Sequence, residues 1–361
     1  MPFNATVLAR SVSPDGYEIC TFEATYPRIV HSELMTHRDF SRNSASTRAI
    51  PLSNQLKNLL ENPFIPEKFG INQPGMQAYN HLAGLKHDRA VELWLRGRDR
   101  AVTTVIELIL GTELAEQILH YKSDREFVPA KVLLEKFDQI MAEVPKSTDE
   151  IDYDTTNVLN VHKQLAGRGL EAYMWHTVVI TSTEFANFYA LRDHPEAQGE
   201  IATIARLMRK AHSAATPRVL NYGDWHTPYV QPDEFEDVFD AIRASAARAA
   251  AASYNRQHAK KSPEEEFARY DSLRTGGHMS PLEHQATPFS ERELRARKAA
   301  KKASQLIIKE LYTEDGATDS AELTGPLLAT ERLLFSGNLR GFTQHRKQIP
   351  GEHNFGELRA A

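Results

Sequence analysis

Apolar and polar residues alternate through ATVLARSVSPDGYEICTFEATYP, residues 5–27, on either side of Pro14-Asp15-Gly16. A period of two flanking such a turn predicts a β-hairpin. RIVHSELMTHRDF (28–40) predicts a short helix, and the density of Pro, Asn and Gly over 50–75 predicts an extended loop. From 76 to about 121, Leu, Val and Ile recur at helical spacing. Residues 124–157 add a further helix and an acidic loop. WHTVVITSTEF (175–185) is β-branched and aromatic, the composition of a buried strand. NFYALRDHPEAQGEIATIARLMRKAHSAA (187–215) begins a helix, breaks near Pro195 and resumes. DVFDAIRASAARAAAASY (237–254) is an alanine-rich helix. SPEEEFARYDSLRTGG (262–277) is another, with a capping box from Ser262 to Glu265 and glycines at its end. The tail from 331 to 354 reads as strand, turn and a basic cluster. No low-complexity linker divides the chain, so the pattern predicts one mixed α/β unit over 1–361.

Composition narrows the class without changing that picture. The chain has 361 residues, 41 % hydrophobic and 25 % charged, as an ordinary globular protein does. A net charge of −5 gives no general pull toward nucleic acid, so basic clusters are local features. No apolar run approaches the roughly 20 residues of a membrane span. The start, MPFNATVLARSV, lacks a basic region followed by an apolar one, so no signal peptide is predicted. A single cysteine, Cys20, excludes an intramolecular disulfide and a cysteine-based zinc site. A reducing, cytoplasmic setting is expected, with no membrane and no nucleic-acid partner.

Three stretches carry candidate chemistry. THRDFSRNSASTR (36–48) gathers His37, Arg38, Arg42 and Arg48 with the hydroxyls of Ser41 and Ser46. Guanidinium groups and hydroxyls can surround a phosphate; the other reading is a solvated basic loop. Neither a Gly-x-Gly-x-x-Gly run nor a Gly-Lys-Ser/Thr loop accompanies it. In NFYALRDHPEAQGEI, Asn187 and Arg192 stand beside apolar side chains, where an arginine needs a partner. That partner is a ligand, or Glu196 or Glu200 within the chain. GGHMSPLEHQATP places His278, Ser280, Glu283 and His284 after a glycine-ended helix; here a capping box from Ser280 to Glu283 is the alternative. No His-Glu-x-x-His spacing occurs, so no metal is expected. His37-Arg38 is echoed by His345-Arg346 in the tail.

Together these stretches closely resemble one family, the flavin-dependent thymidylate synthases. The family signature Arg-His-Arg-x-x-Ser-x-Asn-x-x-Ser-x-Arg is met by Thr36 to Arg48 everywhere but at its first position. Its Asn-Phe-Leu-x-Leu-Arg and Ala-Gln-Trp-Glu-Ile are mirrored by Asn187 to Arg192 and Ala197 to Ile201. Its Gly-His-x-Ser/Thr-Pro-x-Glu-His is met by Gly277 to His284, and its Ala-Ala-Arg-Val-Ser looks like AAAASYNR around Ser253. In the family the Gly-His block comes first; here it follows the basic block by more than 200 residues. The chain is thus similar to a longer, circularly permuted or partly duplicated type common in bacteriophages. The resemblance implies an α+β unit, a mixed and largely antiparallel sheet flanked by helices with permuted element order. Residues 112–157, without a counterpart, would be a helical insertion, and 330–361 a C-terminal segment carrying the second His-Arg pair.

Position by position, the resemblance assigns dUMP to Ser46, Arg48, Arg168 and Arg192, with Arg192 and Ser46 as the catalytic residues. It assigns FAD to His37, Arg38, Ser41, Asn43, Asn187, His278 and Ser280, with His345 and Arg346 joining from the tail. Thr36, Ser44, Glu33, Gly199, Thr181 and Thr183 depart from the family residues. The implied reaction is reductive methylation of dUMP at C5, with methylenetetrahydrofolate giving the carbon, FAD the hydride and NADPH the electrons that restore the flavin. The implied assembly is a homotetramer, possibly a dimer, in the host cytoplasm if phage-encoded. A fixed arginine near the pyrimidine carbonyls would stabilise ring charge without covalent attack. The lone Cys20, in EICTFEA, fits a small buried strand residue rather than a nucleophile. Two other readings stay open: a C5 methylase or hydroxymethylase of another pyrimidine nucleotide, and a non-catalytic nucleotide-binding homologue.

Overall fold

The first turn closes through Ser13 N–H to Tyr17 O (2.8 Å), joining β1 (Asn4–Val12) to β2 (Glu18–Pro27) as an antiparallel hairpin. In this computed structural model, residues 3–75, 77–121, 127–145, 157–256, 258–259, 261–314 and 320–352 are described. Then follow α1 (His31–Met35), β3 (Ser41–Ser44), α2 (Leu52–Glu61), α3 (Leu85–Leu110), α4 (Thr112–Leu119), α5 (Ala130–Glu135), α6 (Phe137–Glu143) and α7 (Lys163–Ala166). The chain returns to the sheet with β4 (Trp175–Ser182), then continues through α8 (Ala186–Arg192), α9 (Gly199–Ala214), β5 (Arg218–Val219), α10 (Val238–Ala251) and α11 (Pro263–Thr275). Its last elements are β6 (Ala286–Pro288), α12 (Glu291–Glu314), α13 (Ser320–Ala329), β7 (Phe335–Ser336), β8 (Leu339–Arg340) and β9 (Phe342–Gln344).

The main sheet has the order β3-β4-β2-β1-β5, antiparallel except for the β1–β5 pair. The architecture is therefore mixed α/β with a largely antiparallel sheet. No helix among the described residues is long and apolar enough to cross a membrane.

The central strand β2 is buried on both faces, and its alternation sorts two kinds of core. Phe22, Ala24 and Tyr26 join Val178 and Ile180 of β4 in an apolar layer under Ile201, Ile204 and Met208 of α9. On the opposite face Thr21, Glu23 and Thr25 meet a hydrogen-bonded layer. Thr21 Oγ1 lies 2.6 Å from Thr181 Oγ1 and 2.8 Å from His226 Nε2, and Thr181 Oγ1 lies 2.8 Å from His284 Nδ1. Tyr229 donates to Glu23 at 2.7 Å. Alanines 244, 246, 247, 249, 250 and 251 of α10 are buried. Side chains that small let a helix lie close against its neighbours.

A second core is helical. Leu56, Leu59 and Leu60 of α2 pack with Val102, Val105, Ile106 and Ile109 of α3, and with residues of α4, α5 and α6. The extended loop expected over 50–75 is thus a helix in its first part. Pro51 sits at the cap rather than inside, where its missing N–H costs nothing. The leucine stripe supplies the burial that propensity alone does not. Residues 112–157 contribute α4, α5 and α6 to this core, although 122–126 and 146–156 lie outside the described residues.

Candidate functional site

Four residues of the basic stretch 36–48 are built into the sheet. Ser41–Ser44 form β3 on the free edge of β4, and their side chains alternate. Ser41 and Asn43 are buried; Arg42 and Ser44 are half-buried. Ser41 Oγ is held by Asn338 and by Gln344 Nε2 (3.1 Å). The Arg42 guanidinium donates to the carbonyls of Leu34, Met35 and His37 at 3.1–3.3 Å, closing the C-terminal end of α1. Asn43 Nδ2 donates to Ala249 O, and its Oδ1 lies 3.3 Å from Ser280 Oγ and 3.5 Å from Ser253 Oγ. Ser280 Oγ also reaches Arg42 O at 3.2 Å. The box from Ser280 to Glu283 does not form, because that hydroxyl is turned to β3 instead.

These contacts draw four distant segments round a cleft of about 720 Å³, lined among others by Asn43, Ser253, Tyr254, Arg269, His278, Ser280 and Arg346. Arg269 lies over the Tyr254 ring at 5.3 Å, with no carboxylate partner among the described residues. His278 is exposed; its backbone N–H donates to Leu273 O, and its imidazole has no hydrogen-bond partner among the described residues. Arg346 is different: it pairs with Glu283 and with Glu352 (2.8 Å) inside the fold. Its neighbour His345 is buried, with Nε2 2.9 Å from the Tyr270 hydroxyl, and burial followed by the charge of Arg274 lowers it to about 4. It does not line the cleft.

Arg192 anchors a separate cluster. Its Nη1 donates to Glu33 Oε2 at 2.8 Å, its Nη2 to Thr36 Oγ1 at 3.1 Å and its Nε to His37 Nε2 at 3.1 Å. The partner is thus Glu33, not Glu196 or Glu200, since α8 ends against α1. A guanidinium only donates, so His37 accepts at Nε2 and carries its proton on Nδ1. Burial, then the charges of Arg192 and Arg42, lower His37 to about 4 and keep it neutral. Its ring packs against Phe40 and Phe188.

The remaining candidates scatter. Arg38, Arg48 and Asn187 are exposed, with no side-chain partner among the described residues. Ser46 N–H donates to Ser253 O at 3.0 Å, and its Oγ accepts from Arg48 N–H. Arg168 pairs with Glu171 at 2.8 Å. The cleft therefore unites Asn43, His278, Ser280 and Arg346. It does not include His37, Arg38, Ser41, Ser46, Arg48, Arg168, Asn187, Arg192 or His345.

Sequence reasoning missed Arg269. Its one signal is spacing: positions 269, 272 and 273 of α11 share a helical face, and all three line the cleft. Cys20 is buried, and burial followed by the charge of Glu18 pushes its thiol well above the ordinary range, which suppresses a thiolate. The chain matches no protein-family model and no curated protein.

Proposed function

We propose that the protein is a flavin-dependent thymidylate synthase-like enzyme that reductively methylates dUMP at C5 with methylenetetrahydrofolate, FAD and NADPH. The observation that carries this reading is the convergence of Asn43, Ser253, His278, Ser280 and Arg346 on one cleft. These residues come from the basic block, from the Gly-His block and the alanine-rich stretch before it, and from the tail, and Asn43 stands 210 positions before Ser253.

The donor set fits a dinucleotide. Arg269 brings a cation without an internal partner, and His278 brings an imidazole free to meet a diphosphate. Asn43 holds the hydroxyls of Ser253 and Ser280 at the cleft wall through its Oδ1. Bound flavin would supply the hydride chemistry, and the chain supplies binding and orientation. Arg192 is fixed by Glu33, and its Nη2 also donates to the Thr36 hydroxyl, a contact a pyrimidine carbonyl or phosphate can take over. Since Arg192 does not line the cleft, the reading places its meeting with the flavin between subunits of a homo-oligomer. The buried thiol of Cys20 supports a route without a covalent thiol adduct.

A second reading keeps the flavin and changes the pyrimidine or the one-carbon product. It draws on Thr181 and Thr183, whose hydroxyls are engaged by His284 and Thr21 and by Arg340 N–H. Neither threonine lines the cleft, where the family uses these positions for the flavin.

The deciding experiment is titration of the full chain with FAD, read by flavin absorption and fluorescence. Bound flavin is expected, and Arg269→Ala is expected to weaken it about tenfold or more, because a charge-assisted contact is worth about 1.5–3 kcal/mol. Protein that stays colourless, with no fluorescence change on titration, would sink the reading. Arg192→Ala is expected to weaken dUMP about tenfold or more on the same scale while leaving FAD affinity unchanged. Equal dUMP affinity in calorimetry of wild type and variant removes Arg192 from the nucleotide site.

A further inference from the structure

Helix α12 is held to the described chain along one face. Leu294 is buried with Phe289 and Leu334. Arg297 donates to Leu333 O at 3.0 Å and to Phe335 O at 3.1 Å. Lys301 pairs with Glu331, and Gln305 donates to Thr330 Oγ1 at 3.2 Å. Positions 294, 297, 301 and 305 form one stripe at helical spacing. The opposite stripe is Arg292, Ala296, Ala299, Ala303, Leu306 and Glu310, and every member of it is exposed. Leu306 is 54 % exposed, and Ile307 beside it 57 %. A helix on the surface of a globular domain turns its apolar stripe inward and its charges outward. Here charged and polar side chains hold the inner face, and the alanines, leucine and isoleucine stand in water.

The outer stripe advances by four and three residues in turn, the spacing of a helix that packs along its length against another. It is also self-complementary. Reversed end for end about Lys301, it sets Arg292 opposite Glu310, Ala296 opposite Leu306 and Ala299 opposite Ala303. Each facing pair is a cation with an anion, a small side chain with a large one, or two small ones. A second α12 laid antiparallel across the first satisfies both ends at once, as a two-fold axis requires. Alanines at the axis let the backbones approach closely, and Leu306 of each copy covers Ala296 of the other. Arg292 makes no side-chain hydrogen bond among the described residues. Glu310 has an interaction within its own chain, and its two oxygens can accept from a further cation. The same register brings Lys302 toward its own mate, and Arg295, already paired with Glu291 at 2.6 Å, toward the partner's Lys309. Both approaches lie at the rim, where water and salt weaken repulsion.

We propose that two copies of this chain associate through α12, antiparallel about a two-fold axis at Lys301. The contact runs from Arg292 to Glu310, about 27 Å along the helix. Its charged ends select this register against the parallel one, which would set Arg292 on Arg292 and Glu310 on Glu310. None of these residues lines the cleft, so the contact does not depend on the flavin reading.

The test is sedimentation velocity of the full chain at micromolar concentrations, with folding of each variant checked by circular dichroism. Self-association is expected, and Leu306→Asp should weaken it at least tenfold by placing a charge in the apolar contact. Arg292→Glu should weaken it by a similar factor, and adding Glu310→Arg to that variant should restore it. Orientation is read by oxidising a mixture of Ala299→Cys chains and Ala303→Cys chains. The expected product joins one chain of each kind, since position 299 faces 303; buried Cys20 does not compete. A chain that stays monomeric at tens of micromolar overturns the proposal. So does an oligomer that Leu306→Asp leaves intact, or crosslinking confined to like chains. Leu306→Asp is expected to bind FAD as wild type does, so loss of this contact and failure of the flavin reading are told apart.

Discussion

Between pH 6.5 and 4.5 the folded protein is expected to lose roughly 5 kcal/mol of stability through His226 and His284 alone. Both imidazoles are fully buried in the polar layer under the sheet, and burial lowers each to about 3, with Arg218 and His284 adding to the effect on His226. In the unfolded chain each would titrate near its ordinary value of about 6.5. A folded pKa below the unfolded one means that the unfolded state binds more protons in the window between them. Their stabilising contribution is therefore complete above pH 6.5 and is lost as the pH falls toward 3. Each buried histidine contributes a slope of up to about 1.4 kcal/mol per pH unit. His37, His345 and His31, each lowered to about 4, steepen the same slope. A total stability of about 5–15 kcal/mol is ordinary for a domain, so much of the fold's margin is at stake. Urea midpoints taken every half pH unit check this; a flat midpoint from pH 7 to pH 5 contradicts neutral burial of these rings.

Gly341→Ala is expected to destabilise the fold by about 2–5 kcal/mol. Gly341 has φ +76°, between β8 and β9, where an L side chain is strained. A Cβ built there would run into the Tyr17 ring and lie 2.6 Å from Tyr17 Cβ. The backbone has little freedom to retreat, since Gly341 N–H donates to Leu334 O (2.9 Å) and Gly341 O accepts from Phe289 N–H (3.1 Å). Displacement there carries β9 with it, and with β9 the Gln344 side chain that braces Ser41 of β3. The midpoint of chemical denaturation should fall and the intrinsic tyrosine environment should change. A variant as stable as the parent would mean that the Tyr17 ring swings clear at no cost.

Where a pattern is local, the sequence displays the structure. The hairpin, the buried strand β4, the helix broken at Pro195 between α8 and α9, and both arms of the Ser262–Glu265 capping box all follow from short-range signals. Helix α2 escaped because Pro51, Asn54, Asn58, Asn62 and Pro63 surround a leucine stripe that becomes convincing only when α3 is there to receive it. Strand β3 escaped for a related reason. Ser-Arg-Asn-Ser contains no apolar residue, and hydrogen bonds rather than hydrophobic contact bury its inner side chains. In the cleft, Asn43, His278 and Ser280 carried motif signals, whereas Arg269 stood in an unremarkable polar helix. The Glu33–Arg192 pair spans 159 positions, so no inspection of neighbouring carboxylates finds it.

The bonds that brace β3 reach across 206 positions to Ala249 and 303 to Gln344. During synthesis at about 5–20 residues per second, the strand thus waits on the order of 15–60 s for its last partner to emerge from the ribosome. Through that interval the Ser41 side chain lacks its brace, and β3, which stays an edge strand in the finished sheet, presents an open edge of the kind that invites nascent chains to associate. A strand of two serines, an arginine and an asparagine is poorly suited to such association, since it offers no dry surface to zip against. The polar composition that makes β3 hard to recognise is also what protects this open edge while the strand waits for its braces.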